Sequence, residues 1–195
     1  MAAPSPAKDN VIQQQRIEKA IGDILEAIGD NPQREGLRDT PNRVASMYVE
    51  LFSGIGSDPA EAIDAVFEED FQDPVILKNV TFYSVCEHHL LPFFGLAHLA
   101  YVPGGKVAGI SKLVRSLEIV ARQPQVQERL TRQWADAVFS ALSPQGLVAQ
   151  VEAEHLCMSM RGVQKPGSQV MTTAIRGGFT DSRFDSESLL SLLKR

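Results

Sequence analysis

The sequence predicts an α+β protein with two N-terminal helices followed by a sheet-forming region. Apolar residues recur at helical spacing within residues 11–51, and four strand-forming segments lie within residues 75–176, with two helical segments between the second strand and the third. The predicted order is two helices and then ββααββα. With 195 residues, 44% of them hydrophobic, the chain is long enough for one sizeable core and a smaller appendage.

The first two helices are defined by their apolar stripes and by the residues that end them. Residues 11–28 place isoleucine, leucine and alanine on one helical face, and Gly29 begins the turn that ends this pattern. A second helix is predicted to begin near Thr40, whose side chain can cap free amides, with Pro41 at the tolerated first helical position. Its buried stripe is predicted to contain Val44, Met47, Tyr48 and Leu51.

A linker, two strands and two helices are predicted next, over residues 57–73, 75–85, 94–102, 111–122 and 124–142 in that order. Residues 86–92 join the two strands and carry cysteine and histidine. The Gly-Gly-Lys at residues 104–106 lacks the spaced glycine and the following serine or threonine of a phosphate-binding loop. Side-chain cations would therefore have to hold any nucleotide phosphates.

A long strand is predicted over residues 147–161, and its alternation gives one face a distinct chemistry. In an extended chain, alternate residues share a face. The polar face is predicted to carry His155, Cys157, Ser159 and Arg161. A last strand over residues 169–176 and a short helix over residues 186–194 close the chain.

Both cysteines and three of the four histidines fall in two short segments, residues 86–89 and 154–157. The C-x-x-H spacing lets a tight turn direct Cys86 and His89 at one point, and Cys157 can supply a third ligand. Thiolate and imidazole together favour zinc. Because a catalytic zinc typically has three protein ligands and a water, this set predicts a catalytic metal site.

Two other interpretations use the same residues. The cysteines could form a disulfide, although the N-terminus has no apolar signal sequence, which favours a reducing cytoplasm. A closed structural zinc site would instead take His88 or His155 as its fourth ligand.

Charge and hydropathy exclude two broad classes of protein. The net charge of -5 argues against binding nucleic acid through a broad basic face. No apolar run approaches the roughly 20 residues that span a bilayer, so a membrane protein is not expected. A cytoplasmic protein that binds a small molecule fits this composition.

Four separated motifs resemble the GTP cyclohydrolase I family in sequence and in order, and they lie at residues 86–89, 109–115, 123–130 and 155–163. The resemblance covers nearly everything after the N-terminal tail. It implies the tunnelling fold, a ββααββ unit with an antiparallel sheet and helices on one face, preceded by an N-terminal helical region. It also implies a homodecamer with active sites between subunits.

With that resemblance, the expected organisation is a disordered tail over residues 1–10, a helical region and linker over residues 11–73, and a catalytic domain over residues 74–195. Open sheet edges in the catalytic domain would be paired by oligomerisation.

The resemblance implies an enzyme that opens the guanine imidazole ring of GTP and releases C8 as formate. After rearrangement of the ribose, ring closure gives 7,8-dihydroneopterin triphosphate, the first step of pterin synthesis of the folate or tetrahydrobiopterin type. One zinc ion per subunit would be bound by Cys86, His89 and Cys157. His155 would protonate N7 of the purine, and His88 would be a second proton-transfer group.

The resemblance also implies the residues that bind GTP. Glu128 would accept the hydrogens of guanine N1 and N2, which adenine cannot offer in the same way. Ser111 would assist the rearrangement of the carbohydrate. The triphosphate would be bound by Arg43, Lys112, Arg115 and Arg161.

Two alternatives from other classes remain open at the level of sequence. One is a different tunnelling-fold enzyme, such as the nitrile reductase of the queuosine pathway, which uses a cysteine nucleophile and needs no metal. The other is a non-enzymatic assembly module that zinc stabilises.

Overall fold

The computed structural model describes residues 12–179 and 183–194, and it confirms the α+β class. The tail predicted over residues 1–10 lies outside the described residues, as does Val11 of the predicted first helix. The chain forms two compact units, Met1–Gly56 and Ser57–Arg195. Among the described residues, none of the helices is both long and apolar enough to cross a bilayer.

The N-terminal unit contains helices α1 (Gln14–Ala27) and α2 (Thr40–Leu51). Two details of the prediction are wrong. Thr40 lies inside α2, because Asp39 is the N-cap residue, and no side chain caps the helix. In the apolar stripe, Met47 is exposed and Ala45 is the buried residue. The small Ala45 side chain fits where the helix packs closely, whereas the longer Met47 points to solvent.

The second unit contains the remaining elements, which are β1 (Val66–Glu68), β2 (Val75–Cys86), β3 (Pro92–Val102), β4 (Lys106–Ala108), α3 (Ile110–Ala121), β5 (Pro124–Gln125), α4 (Gln127–Leu142), β6 (Gly146–His155), α5 (Leu156–Ser159), β7 (Gln169–Gly177) and α6 (Ser186–Lys194). Five strands form one sheet in the order β5-β2-β3-β6-β7. The pairs β2–β3, β3–β6 and β6–β7 are antiparallel, and β5 is parallel to β2. The predicted linker contains β1, which pairs with β4.

Two apolar clusters cover opposite faces of this sheet, because neighbouring residues on a strand point to opposite sides. Leu99 and Tyr101 of β3 belong to the larger cluster with Leu117 of α3 and Trp134 of α4. Ala100 and Val102 belong to the smaller cluster, with leucines of α6. The expectation of helices on one face therefore holds for α3 and α4, whereas α6 packs on the other face.

Two predicted bounds are corrected, and both lie close in sequence to the predicted site residues. Helix α4 begins at Gln127 rather than at residue 124, because Pro124 and Gln125 pair with Val85 and Cys86 of β2. Strand β6 ends at His155 rather than at residue 161, and α5 follows directly. The alternation predicted through Arg161 is therefore wrong beyond His155.

Candidate active site

The candidate site is a cluster of two thiols and one imidazole. The ligand atoms of Cys86, His89 and Cys157 all lie within 4.8 Å of one another, and Cys86 Sγ is 4.0 Å from His89 Nδ1. Around a tetrahedral zinc, a sulfur and a nitrogen ligand are separated by about 3.6 Å. Both cysteines are free thiols, so the structure contains no disulfide between them. The residues therefore fit a zinc ion with small shifts of their side chains.

The tight turn between β2 and β3 positions Cys86 and His89. The Cys86 amide donates to the carbonyl of Leu91 over 2.9 Å, and the Leu90 amide donates to the carbonyl of Cys86 over 2.8 Å. Leu90 has φ 52, the left-handed conformation that lets the chain reverse. Cys86 is buried, whereas His89 is exposed. The cluster is thus fixed by main-chain bonds on one side and open to solvent on the other.

Cys157 reaches the cluster from the short helix α5, not from an extended strand. Because β6 ends at His155, the chain turns there and brings the thiol of Cys157 toward that of Cys86. Burial raises the pKa of the Cys157 thiol, and the neighbouring Cys86 raises it further. Metal binding at this pair therefore has to displace thiol protons.

Within residues 12–179 and 183–194, the cluster contains three ligating side chains, and neither His88 nor His155 is among them. His88 is exposed, and its Nε2 lies 3.8 Å from a carboxylate oxygen of Glu87. A closed site would need a fourth protein ligand. The three-ligand arrangement favours a metal site with a position left for solvent or substrate.

His155 lies at the end of β6, two residues before Cys157. Its ring stacks on Phe93 with centroids 4.5 Å apart and planes 1° apart. Its Nε2 lies 2.8 Å from Oε1 of Gln127. Burial lowers the pKa of His155, and the Glu128 carboxylate opposes that shift. A half-buried imidazole of lowered pKa is a stronger acid in its charged form than an ordinary histidine.

Two further groups, which the sequence did not indicate, support the site. Gln127 was part of a family motif, but nothing in the pattern indicated that its side chain is buried beside His155. Arg129 forms an ion pair with Glu87, and its Nε donates to Gln125 Oε1 over 2.8 Å. This pair ties the ligand-bearing turn to the start of α4, and it holds the pKa of Glu87 below its ordinary value. A pair separated by 42 residues leaves no local signal in the sequence.

The four predicted phosphate-binding cations lie in different surroundings. Arg161 is beside the cluster, with Nη1 3.4 Å from His89 Nε2. Lys112 forms an ion pair with Asp64, and Arg115 also acts electrostatically on that carboxylate. Arg43 belongs to the N-terminal unit, where it pairs with Asp39 at 3.3 Å.

Glu128 and Ser111 are both exposed, each near the first turn of a helix. Glu128 lines an open cleft of about 610 Å³ between α4 and β7, together with Arg129, Arg132 and Arg176. Ser111 is the second residue of α3, and Gly109 is the N-cap of that helix. The cleft combines a carboxylate with guanidinium groups, which suits a ligand that has both hydrogen-bond donors and negative charge.

Comparisons with known proteins give a consistent result. Residues 17–194 match the family model described as GTP cyclohydrolase I. The chain is 53% identical over 183 residues to GTP cyclohydrolase 1 of Streptococcus agalactiae serotype Ia, an alignment that covers 93% of this chain and 98% of the relative. It is 54% identical over 185 residues to GTP cyclohydrolase 1 of Streptococcus pyogenes serotype M1, covering 94% and 95% of the two chains.

Among solved structures, the chain is similar to an archaeosine synthase QueF-like protein in the apo form, with 21% identity and a TM-score of 0.44. That similarity covers 54% of this chain and 94% of the other. It is too weak to bear on fold or activity.

Proposed function

The chain belongs to the GTP cyclohydrolase I family, and on that premise we propose that Cys86, His89 and Cys157 bind one zinc ion beside the proton donor His155. The activity is that of the family: hydrolysis of the imidazole ring of GTP, release of formate and closure to 7,8-dihydroneopterin triphosphate. The ββααββ order and the antiparallel sheet are those of the tunnelling fold. The observation that carries the proposal is the three-ligand cluster with His155 held two residues from Cys157.

The donor set supports zinc as the metal. Two thiolates and an imidazole select a borderline-soft ion, and they disfavour magnesium or calcium, which prefer oxygen ligands. When bound, zinc would act as a Lewis acid and lower the pKa of a water in the open position. Two negatively charged sulfurs weaken that effect, so proton donation by the protein to the purine carries more of the reaction than at a three-histidine site.

His155 is proposed to donate a proton to N7 of guanine, which makes C8 more electrophilic. Its partly buried ring is held by the stacking on Phe93 and by the hydrogen bond to Gln127. A fixed donor loses little entropy in reaching the transition state. His88, exposed and beside Glu87, is proposed as the second proton-transfer group, since an exposed histidine can exchange protons with solvent.

Glu128 is proposed to bind the guanine edge, and its position in the cleft beside the arginines of α4 supports this. Arg161, next to His89, is proposed to bind the triphosphate together with Lys112, Arg115 and Arg43. The Asp64 carboxylate would have to release Lys112 before that lysine could contact a phosphate. Ser111, exposed at the start of α3, is proposed to assist the ribose rearrangement.

We propose a homodecamer with active sites between subunits, located in the cytoplasm, where thiols stay reduced. Among the described strands, β7 has no partner on its outer edge. The sheet face away from α3 and α4 exposes Ile76, Met171 and Ile175. An open edge and an exposed apolar face favour association with further copies. Light scattering should give ten copies of the 21.4 kDa chain, and a monomer would contradict this part of the proposal.

The decisive experiment incubates the zinc-loaded protein with GTP and measures formate and, after oxidation, a fluorescent pterin. His155→Ala should keep its zinc and its fold while ring opening falls by about 100-fold or more. Parental turnover in this variant would contradict the assignment of the acid. An active protein after complete chelation would favour the metal-free cysteine chemistry instead, and Cys157→Ser that dissociates the assembly would favour a structural zinc.

A further inference from the structure

Gln127 is the first residue of α4, and its side chain is only 2% exposed. Its Nε2 donates to the main-chain carbonyls of Val151 over 3.0 Å and Val170 over 2.8 Å. Its Oε1 lies 2.8 Å from Nε2 of His155. The carboxamide therefore connects strands β6 and β7 to the proposed proton donor.

The surroundings of Gln127 allow one orientation of its amide. Main-chain carbonyls can only accept hydrogen bonds, so Nε2 has to face Val151 and Val170. A flipped amide would place Oε1 against two carbonyl oxygens, leaving buried acceptors without a donor. Oε1 consequently faces His155 as an acceptor, and His155 Nε2 has to be the donor.

Two threonines extend the hydrogen-bond network of Gln127, and their bonds agree with the same orientation of its amide. The Thr131 hydroxyl donates to the main-chain carbonyl of Gln127 over 2.9 Å, so the Thr172 hydroxyl has to donate to Thr131 Oγ1 over 2.7 Å. Thr172 Oγ1 then presents an acceptor to Gln127 Nε2 at 3.2 Å, a longer contact that shares a hydrogen with one of the two carbonyl bonds, because the amide has two hydrogens. Both threonine hydroxyls therefore agree with Nε2 as the donor end of the Gln127 amide, and the other end of the amide faces the imidazole of His155.

Stacking on Phe93 does not by itself determine which nitrogen of the His155 ring carries the proton. The ring of His155 lies flat on Phe93, and rotating it by half a turn would keep that contact while exchanging the two edges of the ring. Only a directional partner distinguishes Nε2 from Nδ1. Within the described residues, the hydrogen-bond partner of the His155 ring is Gln127.

We propose that Gln127 is a positioning residue that holds the neutral His155 ring in its Nε2–H tautomer. Nδ1 is then the nitrogen that exchanges a proton with the substrate. The consequence for the reaction rests on the proposed role of His155 as the acid, whereas the tautomer itself does not. Gln127 touches neither GTP nor metal in this role and acts through His155.

The first test uses the zinc-loaded wild-type protein with histidine labelled by ¹⁵N in the ring. The chain has four histidines, and comparison with His155→Ala assigns the signals of His155. Under alkaline conditions, in which histidine rings are neutral, we expect a protonated Nε2 and an unprotonated Nδ1. A ring protonated at Nδ1 would overturn the proposal, and this measurement needs no variant of Gln127 that folds.

The second test compares Gln127→Met with Thr131→Val. Gln127→Met keeps the length of the side chain and removes the acceptor for His155, so we expect mixed tautomers and a kcat lower by at least about tenfold, with KM for GTP within about twofold. Thr131→Val removes a hydroxyl of the same network and leaves the contact with His155, so it should keep the tautomer and kcat. A single Nε2–H tautomer and parental kcat in Gln127→Met would overturn the proposal.

The outcomes separate this inference from the proposed function. If His155→Ala turns over normally, the acid is misassigned, and the tautomer of wild-type His155 still decides whether Gln127 positions the ring. If His155→Ala is inactive and Gln127→Met retains parental kcat, His155 remains the proposed acid, and the positioning role of Gln127 is contradicted.

Discussion

The two segments that supply the cysteines of the cluster are built in different ways. The turn after β2 is held by main-chain hydrogen bonds on both sides of Cys86, and this cysteine is 5% exposed within the main core. The segment after β6 is a four-residue helix followed by residues 160–168. Its main-chain hydrogen bonds, such as that from the Lys165 amide to the Met158 carbonyl over 3.0 Å, stay within the segment, and side-chain bonds of Glu154 and Ser159 tie it to the end of β6. Main-chain bonds, including that from the Glu87 amide to the Gln125 carbonyl over 3.0 Å, therefore tie one half of the site to the sheet, whereas side chains tie the other half to it.

The difference indicates how the site can combine precision with access. The rigid half supplies a fixed thiolate next to the exposed His89. The side-chain-anchored half carries Cys157, a member of the cluster, and Arg161, the proposed phosphate-binding residue beside His89. Segments that open at low free energy usually have few buried contacts, and the exposed residues 160–168 fit that description.

The largest expected effect comes from removing either thiol. Cys86→Ser and Cys157→Ser should each lose zinc and lower turnover by more than about 100-fold, since even partners outside the ligand set matter 10- to 100-fold. In the chelated protein, Cys86→Ser should also lower the stability by about 1–3 kcal/mol, because its hydroxyl would be buried in the core. Cys157→Ser should change that stability less. Equal melting temperatures of the two chelated variants would contradict the contrast between the two halves.

Gly95→Ala should disturb both halves at once. A Cβ at this position would overlap the carbonyl oxygen of Glu152 and approach Ala153 Cα to 2.7 Å, where β3 pairs with β6. We expect a loss of several kcal/mol in unfolding free energy, because backbone cannot yield as a side chain does. Gly22→Ala is the matched control, since nothing lies within 4 Å of its Cβ. Denaturant unfolding that gives the same stability for both variants would contradict this packing.

A smaller effect is expected from Glu154→Ala. Glu154 Oε1 accepts from Ser159 Oγ over 2.5 Å and from the Gly167 amide over 3.2 Å, and so anchors the segment that carries Arg161. Without this anchor, kcat/KM for GTP should fall by about tenfold through KM. Glu152→Ala, two residues earlier on the same face of β6, should leave KM unchanged. Similar kinetics in the two variants would mean that Glu154 does not order the segment.

The smallest expected effect is the loss of the Glu154 anchor at low pH. The hydrogen bond from Ser159 and that from the Gly167 amide lower the pKa of Glu154 in the folded protein. Its anchoring is therefore fully present above the pKa of the unfolded chain and is lost as the pH falls through the lowered value. In chelated protein, amide exchange at Gly167, corrected for its intrinsic rate, should accelerate in that range more than exchange at Leu90. Equal acceleration of exchange at Gly167 and at Leu90 would contradict the difference between the two halves of the site.

The sequence predicted those parts of the fold that local pattern determines. The bounds of β2, β3, α3 and α6 agree with the predictions within one or two residues, because each has strong apolar periodicity and clear end signals. The failures occur where a tertiary contact decides. Pro124 and Gln125 have the composition of a helix start, yet they pair with β2, a contact that no local window contains.

The clustering of the candidate ligands could be expected from the sequence, whereas the residues that support them could not. Cysteine and histidine are rare in the chain, so the set of Cys86, His89 and Cys157 could be proposed from spacing. The strand expected to carry Cys157 is a helical turn, because alternation of residue types does not prevent the chain from turning after His155. A buried glutamine such as Gln127 resembles an exposed one in sequence, and only its neighbours in space reveal its position.

The pairing of Phe93 with His155 joins the ligand-bearing turn and the second cysteine through a single alignment of β3 against β6. If β6 slipped by one residue, every side chain on it would change sides, and the second thiol would be displaced from the first. Metal uptake thus requires the native alignment. Thiolate complexes of cobalt are coloured. The appearance of that colour during refolding in the presence of cobalt would then give the time at which β3 and β6 reach their native pairing.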